Sequence, residues 1–287
     1  MKTFSLLCLL AALAASPASA DPARFLPGIV SDDGAFGLTL SPDGSHAVWT
    51  RSGGKRDVLT IMEARKVGGV WQQATVAPFS GKPGWKDIDP MFSPDGRWLL
   101  FQSNRPVPDR PQRRGFDIYR VAYQAGGWGQ PEHLGHTVNG DDSESYASMA
   151  ANGNLYFMKA NDAAGQDSDI WVAERRGDAY AAPRNLGAPV NTVTARESNP
   201  FIAPDESYLI YFSAVGQAQP DLYISFREGG TWSAPRRLAV PINSDEAEFC
   251  PFIHQGRLYL SRQRKEGDRF IENVYAYPFD PEDYRSR

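Results

Sequence analysis

Four carboxylates recur at one place in a repeated pattern. Asp87, Glu144 and Glu197 each stand eight residues before a turn residue (Asp95, Asn152 and Asp205), and Glu248 stands in the same place once one deletion in its turn is allowed. The first unit has Ala35 there, with Asp32 and Asp33 close by. Acidic side chains gathered in a ring repel one another unless they are paired, share protons or bind a cation. Partners exist: Arg51, Lys159 and Arg262 share one column of the same alignment, and Arg105 lies two positions beyond it. Three chemistries follow. Each acid could be stapled to a cation on the neighbouring strand. The group could bind a metal ion or a polyhydroxylated ligand. Two of the acids could act as general acid and base in a carbohydrate-active hydrolase or lyase, which requires carboxyl groups about 5–5.5 Å apart for retention or about 6.5–9.5 Å for inversion. Nothing in the sequence singles out such a pair, so Asp87, Glu144, Glu197 and Glu248 with Arg51, Arg105, Lys159 and Arg262 stand as candidate ligand-binding residues.

Other catalytic signatures are missing from the sequence. His46, His133, His136 and His254 show no close metal-ligand spacing, and neither G-x-S-x-G nor a P-loop occurs. The pairs Gly53-Gly54, Gly68-Gly69 and Gly126-Gly127 have no helix start behind them and read as hairpin turns. No metal or cofactor is expected.

The elements that position these residues come from a repeat. Ser41-Pro42-Asp43-Gly44 and Ser93-Pro94-Asp95-Gly96 are near-identical turns, with Ala151-Asn152-Gly153, Pro204-Asp205-Glu206 and Gln255-Gly256 in the corresponding places. A short β-type run follows each one. Then comes a second signature: Asp57-Val58-Leu59, Asp117-Ile118-Tyr119, Asp169-Ile170-Trp171, Asp221-Leu222-Tyr223 and Asn273-Val274-Tyr275, spaced 60, 52, 52 and 52 residues apart. An aromatic-x-x-Pro segment closes the unit at Trp128–Pro131, Tyr180–Pro183 and Trp232–Pro235, with a degenerate version from Trp71. Four short strands per unit at this period predict an all-β, five-bladed propeller, with six blades as the alternative if the 68–85 region holds more structure. The segment 60–67 reads as a strand by its place in the repeat.

The first strand of a blade lines the channel, so the acidic column is expected around one mouth. The signature aspartates are expected to accept backbone N–H groups where the third strand begins, and the Trp and Tyr residues to pack between sheets. The fifth unit stops after its third strand, and residues 24–30 align with 184–190, a fourth-strand segment. An N-terminal strand completing the last blade would remove both free edges. The insertion 105–114 is read as an exposed loop. With 139–145 and 263–269 it departs from the repeat, and such departures are the better places to look for function.

Composition narrows the partners. The formal charge is −4 and 12% of residues are aromatic, which excludes a polybasic nucleic-acid binder and favours a packed fold. Met1-Lys2, an apolar run from Phe4 to Ala15 and Ala18-Ser19-Ala20 have the layout of a secretory signal peptide over residues 1–20, leaving one propeller domain over 21–287. A periplasmic or secreted monomer without a membrane span is expected, with Cys250 as its single cysteine after cleavage.

The motifs Pro-x-Phe-Ser-Pro-Asp-Gly-x-x-Leu, Asp-Ile-Tyr, Trp-x-x-Pro and Leu-Gly resemble the WD40-like Pro-Asp repeats of TolB-type envelope proteins. That resemblance implies a propeller whose partner is an envelope protein, a peptide or a saccharide. The TolB pattern places a separate α/β domain before a six-bladed propeller. The repeats here leave no room for that domain, which argues against a place in the Tol–Pal system.

Overall fold

The computed structural model describes residues 21–124, 127–161 and 167–285. The segment read as a signal peptide lies outside them. Five antiparallel sheets are arranged around one axis, and their innermost strands are Ala35–Leu40, Asp87–Phe92, Glu144–Met149, Ala195–Ile202 and Ala247–His254. Each innermost strand packs beside the next, and the fifth returns to the first. The alternative of six blades is excluded, because the 68–85 region adds only the strands Val70–Trp71 and Thr75–Val76, both paired with Leu59–Val67 in blade one.

Local chemistry accounts for the turns. Asp43 accepts from the Ser45 backbone N–H (3.1 Å) and from Ser41 Oγ (2.5 Å), and Gly44 takes the positive φ (+69°) that closes the hairpin. Asp95 repeats this with Ser93 and Arg97, and Asp205 with Ser207. Core residues come from strand positions buried between sheets, among them Trp49, Phe101, Phe157 and Leu260. The recurring aromatics pack as expected: Trp128 stacks on Phe92 and donates Nε1–H to Glu63 of blade one (2.8 Å), and Trp232 meets Tyr156 of the preceding blade edge-on.

The ring is closed by the N-terminus. Ala23–Arg24 pairs antiparallel with Tyr275 and Ala276 as the outer strand of blade five. Phe25 N–H donates to Val274 O as Leu186 N–H does to Ile170 O, so the strand runs one residue out of step with the alignment of 24–30 on 184–190. Buried Val30 and Ser31 complete the latch, with Ser31 Oγ donating to Val274 O (2.9 Å).

One expectation about the signature aspartates is overturned. Asp117, Asp169 and Asp221 are met by side chains from their own outer strands, namely His133, Asn185 and Arg237. Among the described residues only Asn273 of this signature accepts a backbone N–H, from Asp33. The backbone clamp is instead an asparagine column. Asn139, Asn191 and Asn243 accept from the N–H of Ile118, Ile170 and Leu222 (2.7–2.9 Å) and donate Nδ2–H to the carbonyls of the same residues. An amide side chain offers both donor and acceptor, so it satisfies both backbone groups of a buried residue; a carboxylate cannot.

Every innermost strand carries a β-bulge two residues after its column position. The bulge residues are Gly37, Asp89, Tyr146, Asn199 and Cys250, all at positive φ between +45° and +63°. Bulges increase local twist and bend the strand, which lets five strands converge. Four of the five are not glycine, and each such conformation costs about 1–3 kcal/mol that surrounding contacts must offset. At Gly37 a Cβ would lie 3.1 Å from Asp89 Oδ1, so a side chain there requires Asp89 to shift.

Candidate functional site

The column carboxylates all lie at the end of the axis where the innermost strands begin. Asp87, Glu144, Glu197 and Glu248 are each 0% exposed, so they do not line an open mouth as the repeat suggested. Cross-strand register brings the two columns together: Glu144 lies opposite Lys159, Glu248 opposite Arg262, and Ala35 opposite Arg51. Arg262 Nε donates to Glu248 Oε1 (2.8 Å), and Ser244 Oγ donates to the same oxygen (2.5 Å). Arg105 reaches back from two positions further on to Asp87 Oδ1 (2.7 Å) and lies over Trp85, Phe101 and Tyr119. In blade one Arg51 pairs with Asp32.

Glu144 and Glu197 are held differently. Lys159 Nζ and Arg113 Nη2 stay 3.6 and 3.7 Å from Glu144, and burial pushes this acid up to about 7. Arg113 belongs to the 105–114 insertion, which is not simply an exposed loop: Arg105 and Arg113 are its buried cations. Glu197 has no cation at ion-pair distance among the described residues. It accepts from Thr192 Oγ1 (3.1 Å), Ser213 Oγ (3.2 Å) and Thr192 N–H (3.3 Å), and burial likewise raises it to about 7. Among the described residues no three His, Cys, Asp or Glu side chains group as a metal-ligand set.

On the axis the bulge residues form a plug that the sequence did not announce. Cys250 Sγ lies 3.6 Å from Asp89 Oδ1 and 3.7 Å from Asn199 Oδ1, and Tyr146 donates its hydroxyl across to Pro251 O (2.9 Å). Burial raises Asp89 to about 7 and pushes the Cys250 thiol well above its usual range, so Cys250 keeps its proton and is not a poised thiolate nucleophile.

Beyond the plug, at the end carrying the Asp-Gly turns, the axis opens into a cavity of about 240 Å³. All five blades contribute to its wall. Leu40, Met91, Met149, Phe201 and Phe252 make it apolar, and Pro42, Pro94 and Pro204 form its rim. His254 also lines it, with a buried Nε2 that has no hydrogen-bond partner and with desolvation lowering its pKa.

No family model matches the sequence, and no curated protein matches it. Solved structures do. TolB from Acinetobacter baumannii superposes with a TM-score of 0.50 at 16% identity, over 85% of this chain and 54% of that one. A putative TolB from Agrobacterium tumefaciens gives 0.52 at 13% identity, over 86% and 90%. A glycoside hydrolase gives 0.55 at 9% identity, over 90% and 92%. The fold is similar to that of TolB-type propellers. The chain spans about half the length of the Acinetobacter TolB, and at these identities the likeness is one of fold, which hosts unrelated functions.

Proposed function

We propose that this protein is an exported, non-catalytic propeller that binds a segment of an envelope protein by taking an apolar side chain into the cavity on its axis. The single observation that supports this reading is that cavity, to which each blade contributes an apolar wall residue or a proline. Its volume, about 240 Å³, is below the roughly 300–1,000 Å³ of sites that enclose a whole small ligand, which suits one or two side chains of a peptide. Methionine and phenylalanine walls favour such a side chain over a sugar, whose hydroxyls would be left without partners. The acidic column supports catalysis less well. Asp87 and Glu248 are engaged by arginines, and all four acids are closed to solvent.

Panning random phage-displayed peptides on the immobilised mature chain tests this. Enriched peptides should share an aliphatic or aromatic residue and bind Met149→Asp at least about tenfold more weakly. Peptides that bind both proteins alike, or no enrichment beside clear binding on a glycan array, would overturn it.

A further inference from the structure

At the acid-bearing end of the axis one arginine lies over the innermost strands of blades one and five. Arg56 sits in the loop between the second and third strands of blade one, with its own backbone at φ +56°. Its guanidinium lies 4.9 Å from the ring centroid of Phe36, 5.6 Å from Phe249 and 5.5 Å from Phe270. It pairs with Glu272, which is 0% exposed. Asp89 lies behind, close enough for Arg56 to oppose the rise in its pKa. Three aromatic faces and a buried carboxylate make up a receptor for a flat organic cation.

Arg56 fills that receptor imperfectly. Its Nε–H (3.0 Å) and Nη2–H both go to Glu272 Oε1, which also accepts from Gln263 Nε2 (2.7 Å). Glu272 Oε2 is buried and has no partner. A guanidinium free of this tether can place parallel N–H groups on both oxygens, the geometry in which arginine–carboxylate pairs are strongest. The tether itself is short and fixed at both sides. Gly54 O accepts from Phe270 N–H (2.8 Å), Lys55 pairs with Asp268 (2.5 Å), and Arg56 O accepts from Lys86 Nζ (2.8 Å). The first two contacts bridge blade one to the hairpin around 263–269 in blade five, one of the departures from the repeat, and the third ties the loop to the start of blade two.

We propose that this mouth is a binding site for an alkylguanidinium group, the arginine side chain of a peptide ligand, and that Arg56 occupies it in cis until such a ligand displaces it. The site lies at the opposite end of the axis from the apolar cavity, so it stands or falls independently of that reading. Because the competent state has Arg56 withdrawn, the apparent affinity of the intact protein is lowered by the small population of that state.

The experiment uses the mature chain, Arg56→Ala, Arg56→Met and Arg56→Ala with Glu272→Gln, titrated by calorimetry with N-acetyl-arginine methylamide, free arginine and N-acetyl-norleucine methylamide. Arg56→Met keeps an apolar stem against the phenylalanines should the alanine variant fold poorly. The Arg56 variants should bind the arginine amide at least about tenfold more tightly than the intact protein does. The neutral analogue should not bind, and adding Glu272→Gln should abolish the effect. Preference for the blocked amide over free arginine assigns the ligand to a peptide; the reverse order overturns the peptide assignment. In the intact protein, saturating arginine amide should speed hydrogen exchange in the 53–57 loop. A folded Arg56 variant that binds arginine and norleucine analogues alike, together with unchanged exchange in the intact protein, would overturn the proposal.

Discussion

Glu197→Gln separates a buried acid that keeps its proton from one that serves as an ion-pair staple. Burial raises Glu197 from 4.5 to about 7, with hydroxyls and one backbone N–H as its only hydrogen-bond donors among the described residues. Between those two values the unfolded chain releases this proton while the folded chain retains it. The folded state therefore binds more protons, and stability falls as pH rises through that window. At about 1.36 kcal/mol per unit, the loss complete above pH 7 amounts to about 3 kcal/mol. A glutamine at this place has no proton to lose, and its NH₂ can donate to Ser213 Oγ while its oxygen still accepts from Thr192. Glu144 and Asp89 are also raised to about 7, but both proteins keep them, so they cancel in the difference. Urea unfolding followed by tryptophan fluorescence, run from pH 4 to pH 8.5, gives the comparison. The two proteins should be about equally stable near pH 4, and the glutamine variant should gain steadily to about 3 kcal/mol by pH 8. A difference that stays constant across the range, or a variant that is weaker at every pH, would refute the reasoning and show that the ionised carboxylate is what the fold needs.

Asp87→Asn should act in the opposite sense. It leaves Arg105, whose side chain is 9% exposed, without its anion, and should cost about 3 kcal/mol near neutral pH by the same unfolding measurement. Asn191→Ala withdraws partners from both backbone groups of Ile170 and should lower stability by about 2–3 kcal/mol, whereas Asp169→Ala, at a less buried contact with Asn185, should cost less. Removing residues 21–31 opens the ring. Amide exchange in the Arg269–Pro278 strand should accelerate far more than in the innermost strands of blades two and three, and uniform exchange would argue against a latch.

How much of this was legible in the sequence can be told from particular residues. The 52-residue spacing of Asp117, Asp169 and Asp221 placed the strands and the five units, because each unit must bury its faces against the next, and the likeness of 24–30 to 184–190 placed the closing N-terminal segment to within one residue. The same spacing carries Asn139, Asn191 and Asn243, so the backbone clamp was open to view and was missed in favour of the more conspicuous aspartates. The match of Glu144 with Lys159 and of Glu248 with Arg262 was also readable, since it needs only strand register.

Other features were decided by tertiary structure alone. The axial residues Asp89, Tyr146, Asn199 and Cys250 stand at one repeat position but share no residue type, so no side-chain pattern marks them and only closure of the ring brings them into contact. Arg113 and Arg56 come from loops of unrelated sequence, yet one approaches Glu144 and the other pairs with buried Glu272. Burial, too, belongs to the assembled ring. The sequence placed four acids in register; the packing of five blades sealed them from water and raised Glu144, Glu197 and Glu248 above the ordinary carboxylate range. Repetition in a chain determines what neighbouring strands do to one another. What meets on the axis depends on all five units at once, and that information exists only when the ring is closed.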